Sequence, residues 1–268
     1  MNLGARIDAV SGPTGRWLLN KVFRIVDHLA FFWVCLRTVV RYRSAGRRLI
    51  GRILVEQIYF TGVQSLELIT MLALLSGALI ILQGVDKLAR LGNLEGLSVL
   101  LIAALIREIG PLVTAIIVVL RSGSAIALEI GYMKVLGEIE GLEMQGIPTL
   151  HLLCAPRLLG VATAVVCLII IFDMISVVGG FFAAWALTDI TAWSYFRDLA
   201  STIQRSDFLV VLVKGLCFGL MIPVVCMYNG FLAEGAITSV PPRVSRALVD
   251  CLLYSVFLNI IVSVSFSF

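Results

Sequence analysis

The sequence predicts an all-α integral membrane protein: an N-terminal interfacial helix, five membrane-spanning helices and a short acidic helix in one loop. Three observations carry that class. Hydrophobic residues make up 60% of the 268-residue chain and charged residues only 14%, where soluble domains hold about 25% charged residues. Mean hydropathy is +1.02. Long stretches carry no charge at all: residues 68–85, 96–106, 109–120, 158–172, 174–188, 215–233 and 251–268. Such a chain cannot cover a water-facing surface with polar groups, which excludes a soluble enzyme. Low charge and a net charge of only +4 exclude a disordered chain and a basic nucleic-acid-binding domain.

The N-terminal 55 residues come first. Trp17, Leu18, Val22, Phe23, Ile25, Val26 and Leu29 recur at near-helical spacing, with Arg16, Lys21, Arg24 and Asp27 between them. This pattern predicts an amphipathic helix in the membrane interface, anchored by Trp17 and Trp33. It serves as a simple anchor or as an elbow that also packs on a partner. The apolar run Leu29–Leu36 is followed by Arg37, Arg41 and Arg43 instead of a small-residue cleavage site, so a cleaved signal peptide is not expected.

Residues 56–268 read as the membrane domain. A spanning helix needs about 20 apolar residues. Joining the charge-free runs across isolated charges gives spans at about 57–83, 97–120, 157–187, 207–232 and 247–267. The last three read as helices, because Leu, Ala, Val and Ile run there without the period-2 alternation of barrel strands. Lys and Arg set the orientation. Ten lie in the first 55 residues, from Arg6 to Arg52; Arg121, Lys134, Arg157, Arg243 and Arg246 join them on one side. The other side holds only Lys87, Arg90, Arg197 and Arg205. The N-terminus is therefore expected in the cytoplasm and the C-terminus outside. The six cysteines form no C-x-x-C pair and are expected as small apolar fillers, with no metal site.

Span two opens on Arg107-Glu108-Ile109-Gly110-Pro111, where Pro111 removes a backbone donor and a kink is expected. Ser122-Gly123-Ser124-Ala125 is small enough for close approach by another helix. Lys134 to Gln145 predicts a short helix rich in acid (Glu138, Glu140, Glu143), ended by Gly146 and Pro148. An acidic helix just below the membrane suits a groove on a cytoplasmic partner.

Charged groups inside a membrane are costly and point to function. Here they are Glu67, Arg107, Glu108, Asp173 and Lys214. Arg107 and Glu108 are adjacent, so they point about 100° apart, pair poorly with each other, and at least one needs a partner on another helix. Lys214 is the natural partner for Glu108. The pair either locks the bundle or lines a pocket mouth that meets a lipid head group. Leu75, Leu79 and Leu82 share one face of span one, and Leu101 and Leu105 one face of span two; these are the candidate apolar lining. Asp173 is expected to face the bundle in a structural role, bonding backbone or Ser/Thr groups, with Arg107 a second structural polar residue. No G-x-x-x-x-G-K-[ST] occurs, so energy must come from another chain or an ion gradient.

Residues Arg107–Pro111, Arg121–Met133, Glu138–Pro148 and Pro156-Arg157 resemble the ordered motifs of the MlaE family of ABC-transporter permeases, which serve lipid-trafficking systems with MCE proteins. The likeness continues through Phe172-Asp173, Gly179-Gly180, Tyr228-Asn229-Gly230 and Arg243–Asp250, covering about residues 50–268. It departs from the family pattern at Leu120 before Arg121, at Val240-Pro241-Pro242 and at Val85.

The resemblance implies the MlaE permease fold and a homodimer in a bacterial inner membrane, with phospholipid bound between the copies and moved between inner and outer membranes. It also implies two copies of a cytoplasmic ABC ATPase carrying ATP and Mg, a STAS-domain accessory protein and a periplasmic MCE-domain hexamer. This chain would hold no cofactor. Residues 134–147 would be the coupling helix, with Glu129, Lys134, Glu138, Glu140, Glu143 and Met144 toward the ATPase. The competing readings are an ion-coupled secondary transporter, which predicts inverted repeats that the sequence does not display, and a membrane anchor for a periplasmic lipid-binding protein.

Overall fold

A computed structural model describes residues 13–41, 47–90, 102–187 and 191–267. The described residues are helices and the turns that join them. Five stretches are long and apolar enough to cross a membrane: Arg48–Gly84, Leu105–Val135, Thr149–Leu187, Ser206–Phe231 and Ile237–Phe266. We refer to them as spans one to five.

Helix α1 (Pro13–Arg41) is one unbroken helix. It buries His28 and Cys35 and leaves Phe23, Val26, Leu29 and Trp33 exposed. Helix α2 (Arg47–Thr61) leads through a tight 3-10 turn at Val63–Ser65 into α3 (Leu66–Arg90). Residues 47–55 thus continue into span one instead of belonging to the N-terminal helix. The break at the turn is met from outside: the Arg121 guanidinium donates to the Gln64 carbonyl at 2.5 Å and to its side-chain oxygen at 3.2 Å.

Span two is assembled from four pieces in one run. A π-helical stretch (Ile102–Ile109) passes into α4 (Gly110–Val118), then a second π turn (Val119–Gly123), then α5 (Ser124–Val135). Residues 107–111, where a kink is expected, carry the junction from π-helical to α-helical hydrogen bonding, with Ile109 at ordinary helical dihedrals. The helix does not end near Arg121; it runs on to Val135. Gly137 (φ 74°) then breaks the chain before α6 (Glu138–Met144), and Gly146 (φ 76°) ends α6. These left-handed glycines leave α6 shorter than the expected 134–147 and place Lys134 on the last turn of α5.

Helix α7 (Thr149–Leu187) forms span three, α8 (Ala192–Thr202) is a surface helix, α9 (Arg205–Phe231) forms span four and α10 (Val240–Ser267) span five. Pro241 and Pro242 occupy the first turn of α10, where a missing N–H costs nothing, so that helix starts before Arg243. Helix α8 had no counterpart in the sequence reading. It stands on an aromatic cluster in which Phe181 lies 5.6 Å from Tyr195, whose hydroxyl donates to the Val177 carbonyl at 3.2 Å.

Close backbone approach holds the bundle together. The most extensive helix pair is α3 with α7. Gly77 lies on the backbone of Ser176, and Gly179 lies on that of Leu74. Gly219 faces the Cα of Ala162, and Gly123 faces Cys226. The small stretch 122–125 therefore receives span four. This is the packing logic of membrane helices, where small residues replace hydrophobic collapse. Cys35, Cys154, Cys226 and Cys251 are buried free thiols, with Cys226 and Cys251 sulfurs 3.6 Å apart.

Candidate functional site

Four of the five intramembrane charges, Arg107, Glu108, Asp173 and Lys214, converge at the π-to-α junction of span two, whereas Glu67 lies apart on span one. Pro111 has no N–H, so in α-helical register the carbonyl of Arg107 loses its donor. The Lys214 ammonium of span four donates to that carbonyl at 2.5 Å. It also donates to Glu108 Oε2 at 3.2 Å and to Ser263 Oγ at 2.6 Å. All three ammonium hydrogens are used, and Lys214 is 0% exposed.

Glu108 is the hub. Its Oε2 also accepts from Asn259 Nδ2 at 2.8 Å, and its Oε1 accepts from Ser263 Oγ at 2.5 Å. The carboxylate ties span two to spans four and five at once, yet the side chain stays 41% exposed. Arg107 points the other way, as the 100° rule requires, and pairs with Asp207 through Nε at 2.6 Å. Asp207 divides its oxygens: Oδ1 takes Arg107 and Oδ2 accepts from the Gln204 backbone N–H at 2.8 Å, closing the N-terminal cap of α9.

Burial corrects two expectations about a lipid-lining role. Lys214 cannot meet a head group directly, because the fold encloses it; Glu108 alone presents a face. Leu105 is also fully buried, packed in a cluster with Ile81, Ala183 and Ala184. Leu75, Leu79 and Leu82 are exposed on one side of α3. Leu101 lies outside the described residues. Beside the exposed leucines runs an open groove of about 590 Å³ along span one, lined by Leu66, Glu67, Thr70, Met71, Leu74 and Leu75.

Asp173 is a third correction. Its Oδ1 is buried without a hydrogen-bond partner among the described residues. Ser176, one turn along, donates instead to the backbone carbonyl of Asp173 at 2.8 Å. The carboxyl lies against Gly110, at the same junction, where the absent Cβ leaves it room.

At the far end of the bundle, α6 presents Glu138, Glu140, Glu143 and Met144 outward while Ile139 anchors it in the core. Lys134 pairs with Glu140, and this hydrogen bond holds the Glu140 carboxyl below the ordinary glutamate range. Glu129 is tied to the buried Arg157 at 2.7 Å, an internal brace between α5 and α7.

Sequence reasoning missed Asp207, Asn259 and Ser263 as members of the polar cluster. A charge census overlooks Asn259 and Ser263, which are neutral. Their i, i+4 spacing on an apolar helix was the available signal.

Fold and site define a polytopic α-helical membrane protein with a buried polar cluster joining three spans and an acidic surface helix at the opposite end. The chain belongs to the MlaE permease family: the family model described as Permease MlaE matches residues 54–265. Similar proteins include the intermembrane phospholipid transport system permease protein MlaE of Haemophilus influenzae, 28% identical over 212 residues (79% of this chain, 81% of that one). A Rickettsia prowazekii protein named "Probable ABC transporter permease protein" is 25% identical over 211 residues (79% and 82%). A Synechocystis protein with the same description is 25% identical over 198 residues (74% and 75%).

Proposed function

We propose that this chain is the membrane-spanning subunit of an ABC transporter that moves phospholipid between the inner and outer membranes of a Gram-negative-type envelope. The observation that carries this reading is the family match over all five spans, joined to the phospholipid-transport name of the Haemophilus relative. The chain lies in the inner membrane, N-terminus in the cytoplasm and C-terminus in the periplasm, as its Lys and Arg distribution supports. Two copies enclose the lipid. Span one offers the apolar contribution through Leu75, Leu79 and Leu82, and Glu108 meets the head group. Lys214 acts from behind, holding Glu108 in place. An MCE-domain hexamer receives or delivers lipid on the periplasmic side.

The chain itself is not the ATPase. ATP and Mg are held by two copies of a cytoplasmic ABC subunit, accompanied by a STAS-domain protein. Helix α6 is the coupling element: its acids and Met144, which is 86% exposed, form a compact surface of mixed character suited to a groove. Lys134 orients Glu140 within it. Glu129, braced by Arg157, transmits movement of α6 into α7.

Charge reversal tests the coupling surface. With Glu140→Lys and Glu143→Lys together, capture of the ATPase by the tagged chain is expected to weaken at least about tenfold, because like charges now face its groove. Size-exclusion behaviour should stay that of the unmutated protein, since both side chains are exposed. Undiminished capture and undiminished lipid-stimulated ATP hydrolysis would remove α6 from the coupling role.

A further inference from the structure

A second polar site lies at the α6 end, far along the bundle from Glu108. Helix α1 and spans four and five enclose a pocket of about 330 Å³, lined by Phe23, Arg24, Asp27, Tyr228, Asn229, Leu232, Arg243 and Arg246. Three arginines face one aspartate there. Asp27 lies beside the Tyr228 hydroxyl; Asp250 pairs with Arg24 through Oδ1 at 3.5 Å, its Oδ2 buried without a hydrogen-bond partner among the described residues. Among the described residues neither Arg243 nor Arg246 has a carboxylate within ion-pair distance. Asn229 closes the floor, bonded to the Val225 carbonyl at 2.9 Å.

Two arginines turned to a pocket without anionic partners form a fork suited to phosphate oxygens. The surroundings then choose between a free phosphate and a lipid. Phe23 at the pocket edge begins an exposed apolar strip on α1 that continues through Val26, Leu29 and Trp33. A soluble anion has no use for that strip, whereas acyl chains would cover it. Basic pockets between membrane helices on the cytoplasmic side are suited to anionic head groups.

We infer that this pocket binds the phosphate of an anionic phospholipid of the leaflet around α1, with the acyl chains along the Phe23–Trp33 face. The bound lipid acts as a fastener between α1 and spans four and five, and is separate from the transported lipid. The inference rests on the membrane placement proposed above and not on transport.

The test uses the full chain in phosphatidylcholine nanodiscs, without ATPase or ATP, so its outcome is independent of transport. Phosphatidylglycerol is titrated in and retained lipid is read by native mass spectrometry. One phosphatidylglycerol per chain is expected to be retained in preference to phosphatidylcholine. Arg243→Gln with Arg246→Gln should weaken its retention about thirtyfold, and Arg246→Gln alone about fivefold. The single variant changes an exposed residue and keeps the test decisive if the double variant misfolds. Arg243→Lys with Arg246→Lys should retain part of the binding, since charge survives without the fork. Equal phosphatidylglycerol retention in wild type and Arg246→Gln would overturn the inference. So would displacement of the lipid by inorganic phosphate at concentrations as low as those of competing phosphatidylglycerol, which would assign the pocket to a soluble anion.

Discussion

Lys214→Ala is expected to be the most damaging single side-chain truncation in the bundle. It removes three hydrogen bonds at once and leaves the Arg107 carbonyl, Glu108 and Ser263 each short of a partner. Breaking a buried ion pair from one side costs about 3–5 kcal/mol. Glu108 is 41% exposed, so its share is smaller. The orphaned carbonyl adds about 1–3 kcal/mol, because Pro111 leaves it no α-helical donor. We expect a total near 4 kcal/mol, read as a lowered unfolding midpoint in detergent. The double variant Lys214→Met with Glu108→Gln should recover much of this, since it removes the uncompensated charge while Asn259 and Ser263 still hold the amide. A Lys214→Ala protein that unfolds like wild type would show that the cluster is not structural.

Gly77→Val and Gly179→Val should abolish the folded protein. A Cβ at Gly77 would overlap the carbonyl of Ser176, and one at Gly179 would overlap that of Leu74. Both obstacles are backbone atoms of a packed helix, so no side chain can swing away. Overpacking costs typically about 1–3 kcal/mol where side chains can yield. Here α3 and α7 must separate, along the most extensive contact in the molecule. Even alanine should be poorly tolerated at either position. Gly141→Ala is the control: nothing lies within 4 Å of its Cβ position, and alanine favours the helix by up to about 1 kcal/mol. The yield of monodisperse protein by size exclusion reads all three.

The five spans were legible because lipid leaves charge few places to go. Charge-free runs mark the hydrocarbon segments directly, whatever the packing inside. The Glu108–Lys214 pairing was legible for the same reason, since two isolated charges at similar depth have few alternatives. What failed was the direction of apolar faces. Leu105 looked like a lining residue because it shares a helix face with Leu101. In a membrane helix, however, the inward and outward faces are equally apolar, so periodicity does not say which one is buried. Leu75, Leu79 and Leu82 have the same spacing and point outward. Helix α8 escaped because its 11 residues are too few to cross a membrane, so a search for long charge-free spans passes over it. The extent of α6 was misread by a few residues because only the conformations at Gly137 and Gly146 set its ends.

The central claim is that this chain carries phospholipid under ATP control, with Glu108 at the lipid. The most direct measurement is phospholipid transfer by the permease and its ATPase in proteoliposomes, between a fluorescent-lipid pool in the membrane and a soluble MCE-domain acceptor. Transfer should require hydrolysable ATP. It should fall at least about tenfold with Glu108→Gln, compared at equal amounts of assembled complex because the variant leaves the buried Lys214 without its counter-charge. Lipid transfer that proceeds equally without ATP, or at the wild-type rate in Glu108→Gln, would contradict the account.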